Sequence, residues 1–550
     1  MMKSLLKHRP SISSMALSII VAIYLIAVFN KTFWVHVFQA FNYDYAPIAA
    51  VIIGLTCIFI AMTVTVSVKY FIKPIFIIFI VSGSIASWFT DQFGTIIDKN
   101  MVANAFETTS AEASNLMTSG FIIHILVTGI IPSLLIIWVR IRHRNFIKKV
   151  LFNLSLIVPC LMIAVFCTLI TSRQLISTVR EHHELIRIVN PILPIGNVVK
   201  YVIRSHRDKS QVFKQVGLDA KKDPLLSHPN ARPRVTIVVA GETARAADFS
   251  LQGYDKETNP ELKKRNVIYF PNTISCGTAT AQSLPCMFSP FTKRDFTIVK
   301  AVSTNSLPDI LKTAGIDVEW WENNTGSKGV SDRVKTLSFY GSKDPQFCID
   351  GECHDGIMLD KLDSWLDGVK GDSVLFIHQL GSHGPAYYER YPEAFRHFKP
   401  DCRAAVFSDC QPEEIRNAYD NSILYTDYFL SAIIDKLKAH EGKFDGAMIY
   451  MSDHGESLGE NGLYLHGMPY SMAPSEQTHI PFILWMSQPF AQTMATDLSC
   501  IKHNAGVEPM SHDNLFPSVL TMMNVTTALK DEKLDIFKPC QSNPLGRENK

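Results

Sequence analysis

The residues best suited to chemistry stand just after short apolar runs. The stretch Cys276-Gly277-Thr278-Ala279-Thr280-Ala281-Gln282-Ser283-Leu284-Pro285-Cys286 follows Val267-Ile268-Tyr269-Phe270. The apolar run reads as a strand, and helix formers begin near Thr280. A hydroxyl at a strand-to-helix turn meets outward N–H groups and a helix dipole that favours anions. That is a place for a nucleophile that attacks phosphate. The same stretch also suits a Ser/Thr-capped helix start, with two cysteines spaced to close a bridge over the turn. Its company favours the first reading. Glu242 follows one apolar run, His383 another, Asp453-His454 a third, and His466 lies a little further on. Each alone is an ordinary turn residue. Together they are a carboxylate, imidazole and hydroxyl set of the kind that holds a catalytic Zn²⁺ with an open position. A hydroxyl on such an ion is acidified enough to attack at neutral pH. Lys328, in Asn323-Asn324-Thr325-Gly326-Ser327-Lys328-Gly329, is either a surface lysine or a source of positive charge for a phosphate.

Positioning those groups requires a sheet. Strands are predicted at 235–239, 267–270, 318–321, 374–378, 446–451 and 480–485, with helices such as Leu307–Thr313 and Pro412–Ala439 between them. This alternation predicts an α/β domain at 234–550 with a doubly wound, mainly parallel sheet. Ligands of such sheets collect outside the carboxyl ends of the strands, where the polar groups fall.

The 550 residues are two different materials, which the overall charge of +2 conceals. That balance gives no reason to expect a nucleic-acid partner. Five apolar stretches, 13–29, 46–68, 71–89, 120–139 and 150–171, reach spanning length and make 1–171 a five-helix transmembrane domain. The first lacks a small-residue cleavage site and reads as an uncleaved anchor. Lys3, Lys7 and Arg9, then Lys69 and Lys73, then Arg140, Arg142, Arg144, Lys148 and Lys149 mark the cytoplasmic segments. Everything after Thr171 is then outside. His124, in the fourth stretch, reads as a packed or interfacial histidine.

Loop 90–119 is acidic, and Asn100, Asn104, Thr108 and Glu112 recur every fourth residue. On a helix they form one polar stripe, able to hold a lipid head group with Glu112 drawing its ammonium. Residues 172–233 read as a connector: an amphipathic helix stopped by Asn190-Pro191, a second short helix near 198–205, and a linker from Lys209. His182-His183 between glutamates reads as surface charge. Of the 11 cysteines, Cys57, Cys160 and Cys167 lie in apolar runs. Cys276, Cys286, Cys348, Cys353, Cys402, Cys410, Cys500 and Cys540 are an even set in the soluble part, which points to an oxidising compartment such as the periplasm.

The motifs Cys-Gly-Thr-x-Thr-Ala, Gly-Glu-Thr-Ala-Arg, Ser-Lys-Gly-Val, Gly-x-His-Gly-Pro-Ala-Tyr and Ser-Asp-His-Gly-Glu-Ser-Leu-Gly-Glu-Asn-Gly, after five spans, resemble the lipid A phosphoethanolamine transferases, which include polymyxin (colistin) resistance enzymes. The soluble part is similar to the alkaline phosphatase/sulfatase superfamily. The resemblance implies Thr280, not Thr278, as nucleophile, and Glu242, Thr280, Asp453 and His454 as zinc ligands. It implies that His383 and His466 meet the phosphoethanolamine group or a second zinc, and that Lys328 and Asn324 contact phosphate. Asn104, Thr108 and Glu112 would complete the donor site. Disulfides would join Cys276 to Cys286, Cys348 to Cys353, Cys402 to Cys410 and, less generally in the family, Cys500 to Cys540. The expected enzyme is a monomer of the bacterial inner membrane, with phosphatidylethanolamine as donor and lipid A as acceptor. Alternatives are another envelope acceptor, glycerolphosphate transfer of the lipoteichoic acid synthase type, a plain phosphatase or sulfatase, or a non-catalytic membrane sensor.

Overall fold

The computed structural model describes residues 9–108, 110–182, 184–208, 212–223, 232–349 and 352–541. It divides into two compact units, one of residues 1–102 with 117–204 and one of 103–116 with 205–550.

The first unit is helical. Among the described residues, four helices are long and apolar enough to cross a membrane: Tyr45–Thr65, Ile72–Phe93, Ser119–Trp138 and Phe146–Ile170. A fifth crossing is counted only if the bent pair Ser14–Phe29 and Lys31–Ala40 is one span. The expected first span is therefore shorter than a straight crossing. Its 16 residues rise only about 24 Å, against a hydrocarbon core of about 30 Å. The chain then turns by 70° at Asn30. Two buried asparagines fix that turn. Asn30 Nδ2 donates to the Leu25 and Asn190 carbonyls at 2.9 and 3.0 Å, and Asn190 N–H donates to Asn30 Oδ1 at 2.8 Å. His124 is packed, with Nε2 3.1 Å from both Ser87 Oγ and the Ser84 carbonyl. The connector differs from expectation. Its first helix breaks after Glu181, because Ser172–Glu181 and Glu184–Arg187 are separate. The second is longer than predicted and runs Ile192–Asp208. His183 and much of the linker lie outside the described residues.

The second unit is built on seven strands: β1 Arg234–Gly241, β2 Ile268–Tyr269, β3 Asp317–Glu322, β4 Lys335–Ser338, β5 Ser373–His378, β6 Asp445–Ser452 and β7 Phe482–Met486. Their spatial order is β2-β7-β6-β1-β5-β3-β4. β6, β1, β5, β3 and β4 are parallel, whereas β7 runs antiparallel to β6 and to β2. The sheet is thus mixed, and its predicted last strand starts at Phe482 rather than 480. β1, β5 and β6 are buried along their whole length, so they read as continuous apolar runs instead of alternating ones. β4 is exposed at every residue and carries no such signal.

The eight-residue helix Thr280–Met287 is anchored at its far end. Leu284, Met287 and the following Phe288 are buried in the core. Phe288 packs edge-on against Trp320 of β3 and Phe376 of β5, at 5.4 and 5.5 Å between ring centroids. Such aromatic contacts hold the helix start at one height above the strand ends. Cys276–Cys286 closes over the turn, and Cys348–Cys353, Cys402–Cys410 and Cys500–Cys540 are bridged as well, while Cys57, Cys160 and Cys167 are free.

His512 braces this turn to the sheet. The Cys276 N–H donates to its Nδ1 at 3.1 Å, and its Nε2–H donates to the Ser452 carbonyl at the end of β6 at 2.9 Å. The ring is therefore neutral with one tautomer, and burial pushes its pKa down to about 4. An unfolded histidine binds a proton near pH 6.5 that the folded one refuses, so folding is favoured less as pH falls. Stability should drop between about pH 6.5 and 4 by up to about 3 kcal/mol from this group. Thermal unfolding of the wild type and His512→Gln across that range checks this: the variant should lose less stability on acidification, and parallel losses would contradict it.

Candidate active site

Backbone register places the key acids. In the parallel pair β6–β1, Ser452 is opposite Gly241, so the next residues, Asp453 and Glu242, leave the sheet side by side. Two glycines permit the crowding around them. Gly381 has φ of +56°, and a Cβ there would stand 2.6 Å from the Glu242 carbonyl oxygen. A Cβ on Gly455 would clash with the carbonyl oxygen of Glu476. Both positions need glycine for close backbone approach.

Thr280 is the first residue of its helix, with extended Ala279 before it. Its hydroxyl lies 3.0 and 3.1 Å from the two carboxylate oxygens of Glu242 and 3.3 Å from His454 Nε2. Glu242, Asp453 and His454 are buried, and one donor atom from each falls within 4.8 Å of the others. His454 Nδ1–H donates to the Gly455 carbonyl at 2.9 Å, which turns Nε2 towards the two acids. Asp453 Oδ1 accepts from the His454 and Thr243 N–H groups at 2.7 and 3.2 Å. Asp453 Oδ2 is buried with no hydrogen-bond partner.

These charges strain against one another. Burial and the neighbouring Glu242 charge push Asp453 up to about 6. Burial would also raise Glu242, but hydrogen bonds from His378 and His454 and the charges of His454 and His383 hold it well below the usual carboxylate range. Burial opposes a charged His454, yet Asp453 and Glu242 pull it up to about 10. A donor set of two carboxylates and an imidazole nitrogen aimed at both, with Asp453 Oδ2 met only by that nitrogen at 3.3 Å, fits a divalent cation, with the Thr280 hydroxyl as a further oxygen donor.

A cavity of about 40 Å³ opens on Thr280, lined also by Asn104, Thr108, Thr325, Lys328, His383 and His466. The His466 ring stands 4.4 Å from that of His454 and 5.6 Å from that of His383. His466 Nδ1 is held at 2.8 Å by Glu456, whose other oxygen accepts from the Tyr387 hydroxyl at 2.6 Å. The buried carboxylate sets the orientation of His466.

The sequence-predicted residues do not all arrive where expected. Asn324 faces Glu242 rather than the cavity: its Nδ2 donates to Glu242 Oε2 at 2.9 Å and to the Gln379 carbonyl at 2.8 Å. Lys328, at φ +51°, donates to the Thr325 carbonyl at 3.1 Å. The predicted polar stripe is not one helix. Lys99–Glu107 ends before Thr108, whose hydroxyl donates to the Asn104 carbonyl at 2.9 Å, and Ser110–Leu116 follows. The side chain of Glu112 lies outside the described residues.

Other participants were not legible. His378, at the end of β5, has Nδ1 2.8 Å from Glu322 and Nε2 3.8 Å from Glu242. Burial opposes its charge, but the two carboxylates push it up to about 10. Arg245 is buried and pairs with Asp248 and with Glu460, the latter at 2.7 Å, tying the loop after β1 to the loop after β6. The only hint was the Arg in Gly-Glu-Thr-Ala-Arg. His378 carried none, because it reads as the last residue of an apolar strand.

The comparisons with known proteins agree with this architecture. The sequence model described as "Phosphoethanolamine transferase EptA/EptB" matches residues 55–206, and the one described as "Sulfatase" matches 234–525. The chain is 36% identical to phosphoethanolamine transferase EptA of Escherichia coli K12, over 98% of this chain and 99% of that one. It is also 36% identical to phosphatidylethanolamine transferase Mcr-1 of Escherichia coli, over 94% and 96% of the two chains. Among solved structures, integral membrane lipooligosaccharide phosphoethanolamine transferase A of Neisseria meningitidis superposes with a TM-score of 0.93 at 33% identity, covering 97% of this chain and 99% of that one. Apolar helices first and a sulfatase-like domain after them make this an inner-membrane protein with its catalytic domain in the periplasm. The chain belongs to the phosphoethanolamine transferase family, and its sheet domain to the alkaline phosphatase/sulfatase superfamily.

Proposed function

We propose that this enzyme moves phosphoethanolamine from phosphatidylethanolamine to a phosphate of lipid A through a covalent phosphoethanolamine–Thr280 intermediate. One observation carries the reading: the Thr280 hydroxyl, at a helix N-terminus, is hydrogen-bonded to buried Glu242 and faces a cavity bearing Lys328, His383 and His466. Relatives named phosphoethanolamine and phosphatidylethanolamine transferases support the group and donor. A relative named Kdo(2)-lipid A phosphoethanolamine 7''-transferase, 27% identical over 56% of this chain, supports a lipid A acceptor.

Glu242, Asp453 and His454, with the Thr280 oxygen, would hold a zinc ion. When bound, that ion would acidify a hydroxyl and screen phosphoryl oxygens. The remaining work falls to the chain's own groups. Thr280 Oγ1 forms a bond to the donor phosphorus, its proton passing to the Glu242 carboxylate. The bond from phosphorus to the diacylglycerol oxygen breaks. His466, its Nδ1–H fixed by Glu456, acts as the imidazolium: its Nε2–H protonates that leaving oxygen, and the ring regains a proton from the lipid A phosphate that enters next. In the second half, a lipid A phosphate oxygen attacks the same phosphorus. The Thr280 oxygen leaves and recovers its proton. Lys328 and the first N–H groups of the Thr280 helix meet the phosphoryl charge. Asn324 acts through Glu242, keeping one carboxylate oxygen in place. Asn104, Thr108 and Glu112 are proposed to contact the donor head group, with Glu112 facing its ammonium. His383 is proposed to meet the phosphoethanolamine group. A membrane anchor keeps enzyme and both lipids in one two-dimensional phase, which raises their effective concentration. The product carries an ammonium beside a lipid phosphate and attracts polymyxin less, so colistin resistance follows.

Three outcomes are expected. Thr280→Ala should abolish transfer with the fold intact, read as loss of the phosphoethanolamine adduct in mass spectra of lipid A from a susceptible strain; adduct formation by the variant would remove Thr280 as nucleophile. Glu242→Gln should lower bound zinc per chain and activity together, by metal analysis and turnover of a fluorescent phosphatidylethanolamine, whereas full zinc content would separate Glu242 from the metal. Glu456→Gln should slow turnover by about 10- to 100-fold while leaving zinc content unchanged, because it loosens His466 and Tyr387 and neither is a proposed metal ligand.

A further inference from the structure

The last apolar helix, Phe146–Ile170, leads directly into the periplasmic part of the chain. Loop 139–145 before it therefore lies on the cytoplasmic side, with the chain start. The cytoplasmic segments 1–13, 66–73 and 139–149 contain Lys3, Lys7, Arg9, Lys69, Lys73, Arg140, Arg142, Arg144, Lys148 and Lys149, and no Asp or Glu. Charge of one sign is what membrane orientation requires, and by itself gives only diffuse attraction to anionic lipid.

The structure adds a built cavity. Ser11–Ser13 and Arg140–Arg142 pair as parallel strands, with Ser13 opposite Arg142. The Arg140 N–H also donates to the Pro10 carbonyl at 2.9 Å. The chain start is thereby tied to the loop, and between them and the first turns of Phe146–Ile170 is a cavity of about 370 Å³. That is within the range of small-ligand sites, about 300–1,000 Å³. Arg142, Arg144 and Lys149 line it, with Ser13 and Phe152, and no carboxylate does. Among the described residues, neither arginine has an ion-pair partner. The Lys149 ammonium donates to the Ser67 carbonyl, and the Arg144 guanidinium lies 3.4 Å from the centre of the Phe152 ring. Two guanidinium forks and an ammonium about one cavity suit a phosphate diester.

The surroundings choose between a lipid and a soluble phosphate. Phe146, Ile147 and Leu151 beside the cavity are 81, 72 and 62% exposed, a surface for acyl chains. We propose that this cavity binds the phosphodiester head group of an anionic glycerophospholipid from the cytoplasmic leaflet. Its acyl chains lie along the last span, and the lipid joins the chain start to that span.

The full-length protein is reconstituted in nanodiscs of phosphatidylethanolamine with a minor fraction of phosphatidylglycerol, and the lipid that stays bound is identified by native mass spectrometry. Wild type should retain phosphatidylglycerol several-fold above its bulk share. Arg142→Gln with Arg144→Gln should lose that enrichment, whereas Lys69→Gln with Lys148→Gln, which removes the same charge outside the cavity, should keep it. No enrichment in the wild type, or equal loss in both double variants, would overturn the proposal. Heat protection by inorganic phosphate equal to that by phosphatidylglycerol vesicles would also overturn the lipid assignment, in favour of a soluble phosphate compound. If the double variant fails to fold, Arg144→Gln alone should show a partial loss, and unchanged enrichment there would count against the site.

Discussion

Two carboxylates buried side by side are the constraint on which the active unit is built. Parallel register between β1 and β6 makes Glu242 and Asp453 neighbours outside the sheet, whatever the loops do. Burial of like charges costs several kcal/mol unless something answers it. Every nearby group answers part of it. His454 turns Nε2 between the two acids, Asn324 donates to Glu242, and backbone N–H groups donate to Asp453. His378 stands behind Glu242 and is itself held by Glu322. Asp453 Oδ2 still lacks a hydrogen-bond donor, and two acids sharing one imidazole nitrogen is an arrangement that a divalent cation would relieve.

The same arrangement would make a weak nucleophile usable in the proposed reaction. A threonine hydroxyl ordinarily holds its proton far above neutral pH, so it needs both a base and a positive environment. Thr280 has Glu242 as hydrogen-bond acceptor and a helix start beneath it. Its helix cannot tilt freely, since Phe288 is locked between Trp320 and Phe376. The His512 brace adds a second restraint from a segment more than two hundred residues away. Positioning thus comes from the core, and chemistry from the strand ends, as expected for open α/β sheets.

Much of this was legible because the local signals were strong. Strands β1, β5, β6 and β7 are buried throughout and mostly apolar, and Gly-x-His-Gly follows β5 and Asp-His-Gly follows β6. Helices Leu307–Thr313 and Pro412–Ala439 declare themselves through Pro near the N-terminus and their periodicity. What escaped was non-local or without contrast. β4 is exposed throughout and, among the described residues, pairs with β3 alone. Asn30 lies between two apolar helices, and its partner Asn190 is 160 residues away. His378 and His512 look like strand and loop histidines until the fold brings Glu322 and Cys276 to them. Asn324 has the right type for a phosphate contact, and only coordinates reveal that its amide is directed at Glu242. Helix periodicity extended the polar stripe past Glu107, but the helix ends there.

The central claim is that a phosphoryl group rests covalently on Thr280 between donor and acceptor. The most direct measurement is mass spectrometry of the purified enzyme, acid-quenched after mixing with phosphatidylethanolamine and no acceptor. The account predicts one phosphoethanolamine on the peptide containing Thr280, removed again when lipid A is added before the quench. An unmodified Thr280 peptide while diacylglycerol is released, or an adduct on another residue, would contradict it.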